Sequence, residues 1–252
     1  MKDRVLGIMG AMPEEVYGIV GLMTGIQEYS IGMRTYYTGK IKGIQTVLVF
    51  SRWGKVAAAT TVSTLLHKFD VTEILFTGVA GAVNEKLKIG DVVIGQKLIQ
   101  HDMDGRPLMK EFELPLLNIS SVEIKKEQLE KASRAVSALL EYSSLTKMIE
   151  PEKLEKFHII RPEMYIGTIA SGDKFFSDSN EKGELLKKLP DALCVEMEGA
   201  AVAQVCYEYD IPFTIIRTIS DTADEHSSID FPAFIKTISS IYSVGIITNI
   251  LG

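Results

Sequence analysis

A cation, a hydroxyl and a carboxylate occur together where one apolar run of the sequence ends. Residues 213–219 form this run, which contains Arg217 and is followed by Ser220 and Asp221. A carboxyl group at the edge of an apolar segment can be partly buried, and burial raises its pKa toward the range that a general acid needs. Ser and Asp also favour the first position of a helix, so a helix cap is the competing interpretation.

Two further acids, Glu196 and Glu198, stand between an apolar run and an alanine-rich segment. Carboxylates beside so much apolar sequence need partners, because an unpaired buried charge is costly. Ribose hydroxyls would be suitable partners, and so would the positively polarised N-terminus of the helix that follows. The residues alone leave both interpretations open. Glu15 belongs to the same class, since it lies in the first turn of a predicted helix directly after the first apolar run.

Two adjacent aromatic residues, Phe175 and Phe176, follow a glycine-containing segment at residues 171–173. Adjacent phenylalanines usually lie in a protein core. At the ligand edge of a sheet, however, one ring could stack on a purine while backbone groups contact the edge of the base.

Motifs for several other chemistries are absent from the sequence. It contains no GxxxxGK[ST], no GxGxxG after a strand, no HExxH and no GxSxG, which argues against triphosphate, dinucleotide, zinc-protease and α/β-hydrolase sites. The two cysteines, Cys194 and Cys206, lie in apolar segments without a CxxC or histidine-rich neighbourhood. We therefore expect neither a zinc site nor a disulfide framework, and we expect buried thiols in a reducing, cytoplasmic compartment.

Length and composition predict one globular domain over residues 1–252, with 46% hydrophobic and 24% charged residues. The net charge of −6 and the lack of a Lys/Arg run argue against nucleic acid as a partner. The apolar start is interrupted at residues 13–15, too early for a signal peptide. The uncharged stretch 237–252 is interpreted as a helix docked on the core, because its length and its Ser, Thr and Asn content argue against a membrane span.

Apolar runs that alternate with helical patterns predict the elements that must position these side chains. In the first half, the prediction is a strand at 4–10, a helix from Pro13, a hairpin formed by 29–37 and 46–50 around Gly43, a helix at 55–67, a strand at 74–77 ending in a turn at 78–81, and a strand at 92–99. In the middle, it is a charged helix at 121–142 and a loop followed by a strand at 150–162. In the last third, it is strands ending at Ala170, at 193–195 and at 213–219, with helices after Phe176, from Met197 and at the end.

This alternation indicates an α/β fold with helices on both faces of a mostly parallel or mixed sheet. In such folds, ligands lie outside the carboxyl ends of the strands, which is where the acids described above are expected.

Six motifs, taken in order, resemble those of the 5′-methylthioadenosine/S-adenosylhomocysteine nucleosidases within the wider purine nucleoside phosphorylase group. They are Gly10-Ala11-Met12-Pro13-Glu14-Glu15-Val16, Gly54-Lys55-Val56-Ala57-Ala58, Thr77-Gly78-Val79-Ala80-Gly81, Ser171-Gly172-Asp173, Val195-Glu196-Met197-Glu198 and Arg217-Thr218-Ile219-Ser220-Asp221. The resemblance covers essentially the whole chain. It implies a three-layer α/β/α sandwich with a central mixed sheet, hydrolysis of the N-glycosidic bond of 5′-thioadenosines without a metal or organic cofactor, and a homodimer.

The resemblance also implies roles for five residues as catalytic groups. Glu15 would position and activate the attacking water, Asp221 would protonate N7 of adenine, and Glu198 would hold the ribose hydroxyls. Ser220 would orient Asp221, and Arg217 would contribute to the ribose end of the site.

The same resemblance implies a substrate pocket. Phe175 would stack on adenine, and the backbone of Phe176 would contact the edge of the base. The 5′-thio substituent would lie against Met12, Met197 and Phe231, and Leu108 would close the site of a neighbouring subunit. The other residues expected to contact the substrate are Ala11, Trp53, Val79, Ala80, Gly81, Val195 and Glu196.

Two residues depart from the pattern of the family. Val79 stands where many relatives have a small hydroxyl residue, and Trp53 stands where a smaller aliphatic residue is common. Both could reshape the pocket, so the preference among 5′-methylthioadenosine, S-adenosylhomocysteine, 5′-deoxyadenosine and aminofutalosine stays open.

Two other functions remain as alternatives. A phosphorylase of the same fold would need a cationic pocket for phosphate, whereas this chain offers Glu14 and Glu15 in the first loop, where their charge would repel phosphate. A binding protein without activity is the second alternative. The acidic charge balance gives it little support, and so does the joint presence of Glu15, Glu198 and Asp221.

Overall fold

The computed structural model describes residues 3–252, apart from the side chains of residues 142, 143, 228 and 229. Residues 1 and 2, at the start of the predicted domain, lie outside the described residues. Within this part of the chain, the strands are β1 (Val5–Gly10), β2 (Thr24–Ile31), β3 (Arg34–Ile41), β4 (Ile44–Phe50), β5 (Glu73–Ala82), β6 (Val92–Gln100), β7 (Val122–Glu123), β8 (Met164–Ser171), β9 (Ala192–Glu196) and β10 (Phe213–Asp221). The helices are α1 (Pro13–Val20), α2 (Lys55–Lys68), α3 (Lys126–Leu140), α4 (Tyr142–Met148), α5 (Pro151–Lys156), α6 (Ser179–Lys188), α7 (Gly199–Glu208), α8 (Ser227–Phe234) and α9 (Ser240–Ile250), with a π-helical segment, Ile235–Ser239, between the last two.

One mixed sheet contains all of these strands, which confirms the predicted α/β fold with a central mixed sheet. The strands follow the order β2-β3-β4-β1-β5-β10-β6-β8-β9, and β7 pairs with β6 outside this path. In addition, β9, the last strand in this order, pairs antiparallel with β5 through Gly81↔Val195 and Ala82↔Cys194. This part of the sheet therefore closes on itself. This closure, which the sequence did not suggest, brings the carboxyl ends of β5, β9 and β10 next to one another.

Helices cover the sheet on both faces and enclose two apolar cores. On one face, α2 and α7 pack against each other, and their buried residues include Val62, Leu65 and Val202. On the other face, α9 packs on α1 and α3, with Ile19 and Val136 among the buried residues. The helices thus fix the sheet between two apolar layers, and its strand ends are left to form a site.

The antiparallel edge of the sheet contains two hairpins where the sequence analysis expected one. The turns between β2 and β3 and between β3 and β4 have two residues each, Gly32-Met33 and Lys42-Gly43, all with positive φ. Such turns match the twist of paired strands. The first strand escaped notice because β2 is exposed along almost its whole length and therefore lacks an apolar alternation.

Three other local predictions differ from the structure. The expected turn at residues 78–81 is wrong, because β5 continues through it to Ala82. The expected strand within 150–162 is also wrong, because Pro151 begins the short helix α5. The charged helix predicted at 121–142 starts later, at Lys126, after the short strand β7. The first error arose because Gly was taken as a break although the strand continues, and the second falls where Pro151 starts a regular element.

The C-terminal stretch docks on the core as predicted, but it is longer than expected. Helix runs without a break from Ser227 to Ile250, and its part Asp230–Ile250 is long and apolar enough to cross a membrane by length and composition. Length therefore does not exclude a span. Half of the most apolar window is buried inside the protein, where α9 packs on α1 and α3, as in a core helix.

Candidate active site

A cleft of about 610 Å³, including its open mouth, lies at the carboxyl ends of β1, β5, β9 and β10. It is lined by Ala11, Met12, Glu15, Trp53, Gly78, Val79, Ala80, Gly81, Lys174, Phe175, Phe176, Val195, Glu196, Met197, Glu198, Arg217, Ser220, Asp221, Ala223 and Phe231. The structure therefore brings together every residue predicted for the site except Leu108.

Glu15 lies at the floor of this cleft and is only 1% exposed. It sits in the first turn of α1, where Oε2 accepts hydrogen bonds from the backbone N–H groups of Ala11 (2.6 Å) and Met12 (3.0 Å). Oε1 accepts a hydrogen bond from the N–H of Val79 (3.2 Å) on β5. Burial raises the pKa of Glu15 above its usual value, although Arg217 and these N–H groups favour the charged form.

Two glycines in β5 make room for the acids. A Cβ atom on Gly78 would lie 2.8 Å from Oε1 of Glu15, and one on Gly81 would lie 2.8 Å from Oδ1 of Asp221. The glycines that the sequence analysis read as a turn are therefore required by the close approach of two carboxylates to the strand.

Glu196 is occupied by protein groups. It accepts hydrogen bonds from Nη2 (2.7 Å) and Nε (3.1 Å) of Arg217, from the N–H of Gly199 at the start of α7, and from the hydroxyl of Ser171. Its position at the N-terminus of α7 agrees with the helix interpretation of this residue. The carboxylate of Glu196 thus serves mainly to balance a buried guanidinium.

Arg217 is fully buried in β10 and lies over the ring of Phe76, 4.1 Å from the ring centre. Its Nη1 donates to the carbonyl oxygens of Phe76 (3.3 Å) and Ile216 (3.2 Å). Burial alone would lower the pKa of Arg217, but the charges of Glu196 and Glu198 outweigh this effect and raise it. Arg217 therefore stays a cation, held in place by the protein itself.

Glu198 is also buried but has fewer partners. Its Oε1 accepts a hydrogen bond from the N–H of Gly54 (2.8 Å), and among the described residues no donor contacts Oε2. Burial and the nearby charge of Glu196 raise the pKa of Glu198 to about 8. One carboxyl oxygen of Glu198 is thus available to a ligand in the cleft.

Asp221 ends β10, lines the cleft and is 2% exposed. Oδ2 accepts a hydrogen bond from the hydroxyl of Ser220 (2.8 Å), and Oδ1 accepts one from the N–H of Ala223 (2.9 Å). Burial raises the pKa of Asp221, while hydrogen bonds from Ser227, Ala223 and Ser220 oppose this shift. Because no cation among the described residues offsets the cost of burial, this carboxyl group is suited to hold a proton.

Aromatic side chains form the mouth of the cleft. The ring of Phe231 lies edge-to-face with Trp53 (6.1 Å) and with Phe175 (5.5 Å). Trp53 and Phe175 are 52% and 38% exposed, whereas Phe176 is buried with its ring edge-on to His101 (5.4 Å). Phe175, rather than Phe176, therefore presents its side chain to a ligand, in agreement with the different contacts predicted for the two residues.

Leu108 lies outside the cleft of its own chain, in an irregular segment where it is 89% exposed. Its expected contact with the site of a neighbouring subunit stays a prediction. Conversely, Gly78, Lys174 and Ala223 line the cleft and were not predicted. Gly78 and Lys174 stand directly beside predicted residues and Ala223 lies two positions after Asp221, so nearness along the chain was the available signal. Among the described residues, no group of three or more His, Cys, Asp or Glu could hold a metal ion.

The matching family and curated relatives agree with this geometry. The phosphorylase superfamily matches residues 5–249 of the chain. The 5′-methylthioadenosine/S-adenosylhomocysteine nucleosidase of Staphylococcus aureus (strain bovine RF122 / ET3-1) is 33% identical over 233 residues, which cover 92% of each protein. The chain belongs to this nucleosidase family of the phosphorylase superfamily. The resemblance inferred from the six motifs is thereby confirmed.

Solved structures of nucleosidases superpose over nearly the whole chain. The enzyme of Streptococcus pneumoniae, with the transition-state inhibitor MT-ImmA, has a TM-score of 0.84 and 31% identity and covers 98% of both chains. The enzyme of Neisseria meningitidis, in complex with methylthio-immucillin-A, has a TM-score of 0.85 and 30% identity, again over 98% of both chains. The native futalosine hydrolase of Helicobacter pylori has a TM-score of 0.81 and 30% identity, and it covers 98% of this chain and 97% of that one.

Proposed function

We propose that this protein hydrolyses the N-glycosidic bond of 5′-methylthioadenosine and S-adenosylhomocysteine and releases adenine. The observation that carries the proposal is the arrangement of the cleft. The positive charge of Arg217 acts on Glu15 and Glu198, whereas among the described residues no cation lowers the pKa of Asp221, which lines the same cleft. The names of the relatives agree with this activity.

The proposed acid is Asp221. Cleavage of an N-glycosidic bond develops positive charge on the sugar, and protonation of adenine at N7 makes the base a better leaving group. An ordinary Asp has a pKa near 3.9 and would be almost fully ionised at neutral pH. The raised pKa of the buried Asp221 lets it keep a proton, and the hydroxyl of Ser220 orients the carboxyl group.

The proposed nucleophile is a water molecule held by Glu15. Three backbone N–H groups fix the carboxylate of Glu15 against the floor of the cleft, so it cannot rotate away from a bound sugar. Glu198 would accept hydrogen bonds from the ribose hydroxyls with its free oxygen. A negative charge on Glu15, and on Glu198 once it has released its proton, also favours the positive charge that develops on the sugar.

Water suits this cleft better than phosphate. Of the two cations that line it, Arg217 is paired with Glu196 at 2.7 Å, and Lys174 is paired with Glu181 at 2.7 Å. A phosphate beside Glu15 and Glu198 would meet two carboxyl groups without a free cation to balance it.

The mouth of the cleft is the proposed site of the 5′ substituent. Met12, Met197, Phe231 and Trp53 would contact the thioether and the group attached to it, while Phe175 would stack on adenine. Futalosine hydrolase is among the similar structures, so aminofutalosine belongs among the substrates to be tested.

The deciding experiment measures adenine release from 5′-methylthioadenosine, S-adenosylhomocysteine, 5′-deoxyadenosine and aminofutalosine, each with and without phosphate. We expect release without phosphate, together with a free 5-thioribose product from the thioethers. A strict need for phosphate, with a ribose 1-phosphate product, would identify a phosphorylase. No release from any substrate would support the binding protein without activity.

We also propose that the protein is a single-domain homodimer in the cytoplasm and needs no metal. The family resemblance supports the dimer, with Leu108 reaching the site of the second subunit. The two buried free cysteines are compatible with a reducing compartment. Light scattering on the purified protein tests the dimer, and activity after chelation tests the independence from metal.

A further inference from the structure

Glu198 depends on one backbone group for its orientation. Among the described residues, its carboxylate receives a single hydrogen bond, from the N–H of Gly54, which is 144 positions away in the sequence. Glu196, two residues before it, receives hydrogen bonds from Arg217, Ser171 and the start of α7. The place of Gly54 therefore decides where the free oxygen of Glu198 points.

The backbone next to Gly54 is in turn held by a residue from another loop. It is the N-cap residue of α2 and has no side chain with which to cap the helix. The carboxylate of Asp173, in the loop after β8, supplies the missing acceptor, because Oδ1 receives the N–H of Lys55 (2.7 Å). Asp173 and Glu198 thus bind consecutive N–H groups at the start of α2.

The fit between Gly54 and Asp173 is close. Gly54 has a φ of 93°, in the left-handed region that favours glycine, and a Cβ atom there would lie 3.0 Å from Oδ1 of Asp173. Asp173 is itself tied down, since its N–H donates to Oδ2 of Asp102 (3.0 Å). Oδ1 of Asp102 accepts from Nζ of Lys55 (2.6 Å), which closes the connection between the two loops.

We propose that Asp173 is a positioning residue for Glu198, acting through the backbone of Gly54 and Lys55. The inference rests on the proposed function, in which Glu198 holds the ribose hydroxyls. Removal of the Asp173 carboxylate frees the start of α2, and the N–H of Gly54 then no longer fixes one rotamer of Glu198. The consequence is specific: the protein loses its preference for substrates that carry both ribose hydroxyls.

The test compares 5′-methylthioadenosine with its 2′-deoxy and 3′-deoxy analogues. The quantity measured is the ratio of kcat/KM for the ribose substrate to kcat/KM for each deoxy analogue, which cancels the effect of a general loss of active protein. We expect Asp173→Ala to lower this ratio about tenfold, the value of a misplaced hydrogen bond to a charged group. Asp173→Asn keeps an oxygen acceptor for Lys55 and should retain most of the preference.

Asp178→Ala is the matched control. Asp178 lies five residues further along the same loop and also accepts a hydrogen bond from a backbone N–H, that of Asn180 (2.7 Å), at the start of α6. Its removal should leave the ratio unchanged, although it removes a helix cap of the same kind. Gly54→Ala perturbs the contact between residue 54 and Asp173 from the side of α2, and it should lower the ratio as Asp173→Ala does. If one of the two variants fails to fold, the other still tests the proposal.

An unchanged ratio in Asp173→Ala or in Gly54→Ala would overturn the proposal, even if kcat falls for all substrates alike. The same holds if Asp178→Ala lowers the ratio as much as Asp173→Ala. Failure of the proposed function looks different, because the wild-type protein would then release no adenine from 5′-methylthioadenosine.

Discussion

The acids at the end of β9 and the acid at the end of β10 share one cleft but have different neighbours. At the end of β9, Glu196 lies 2.7 Å from the guanidinium of Arg217, and α7 begins directly after it. At the end of β10, Asp221 accepts hydrogen bonds from Ser220 and Ala223, and in the part of the chain that the structure describes no cation lowers its pKa. Both regions are buried, so the difference between them lies in the compensation of charge.

The comparison shows how one cleft can hold buried acids whose charges are compensated to different extents. A guanidinium beside a buried carboxylate offsets part of the cost of burying it, whereas a buried carboxyl group with neutral donors alone becomes a weaker acid. Glu198 is an intermediate case, because the positive charge of Arg217 lowers its pKa whereas the negative charge of Glu196 raises it. The following predictions test this division, from the largest expected effect to the smallest.

The first prediction concerns Asp221 as the proton donor. Asp221→Asn should lower kcat about 10³-fold with little change in KM, because general acid catalysis typically contributes 10²- to 10⁴-fold. In the wild-type protein, kcat/KM should fall as the pH rises through the raised pKa of Asp221, since the proton is then lost.

Both effects are measured by adenine release from 5′-methylthioadenosine. Asp224→Asn, a neighbouring acid outside the cleft, is the control and should stay active. Undiminished turnover in Asp221→Asn would remove this residue as the acid.

The second prediction concerns the buried ion pair. Arg217→Met should lower the free energy of unfolding by about 3–5 kcal/mol, because it leaves the carboxylate of Glu196 buried without its partner. The double variant Glu196→Gln/Arg217→Met should regain part of this loss. Urea denaturation measures both values.

Lys125→Met serves as the comparison, because it removes a surface ion pair in which Lys125 lies 2.8 Å from Asp210. It should leave the free energy of unfolding almost unchanged. Equal losses in the buried and exposed variants would contradict the assigned role of Arg217.

The third prediction concerns Glu198 and pH. Its pKa is about 8 in the folded protein against 4.5 for the ordinary group, so between these values the folded state holds a proton that the unfolded chain has released. Stability from this group is therefore present at low pH and is lost as the pH rises toward 8. The slope contributed is on the order of 1 kcal/mol per pH unit.

Glu198→Gln should remove this part of the pH dependence. Urea denaturation at several pH values between 5 and 8 measures it. If plots of the free energy of unfolding against pH run parallel for the variant and the wild-type protein, Glu198 does not titrate in this range.

The smallest expected effect concerns Ser220. Ser220→Ala should lower kcat about tenfold, because the hydrogen bond that orients Asp221 is lost. The same hydrogen bond lowers the pKa of Asp221, so the fall of kcat/KM at high pH should move to a higher pH.

The pH–rate profile of the variant measures both changes. Thr222→Ala removes a hydroxyl that donates to Asp224, next to the site, and should change neither. A lower kcat without the pH shift would mean that Ser220 acts by some route other than Asp221.

Much of the candidate site could be predicted because its residues stand at the ends of apolar runs. Glu15, Glu198 and Asp221 each follow such a run, and the structure places all three in one cleft. Phe175 was separated from Phe176 by family resemblance, and the exposed fractions of the two rings agree. Two local errors came from glycine and proline, whose effect depends on contacts that the sequence does not show, as at Gly78 and Pro151.

The sequence by itself determined the family, the α/β alternation and the set of acids, since these depend on residue types and on apolar runs along the chain. Only the tertiary structure decided which partner each acid has. The closure of β9 onto β5, the pairing of Glu196 with Arg217 and the hydrogen bond from Gly54 to Glu198 all join residues far apart in the chain. Such contacts decide which carboxyl group keeps its proton, because charge compensation depends on distances in the folded protein.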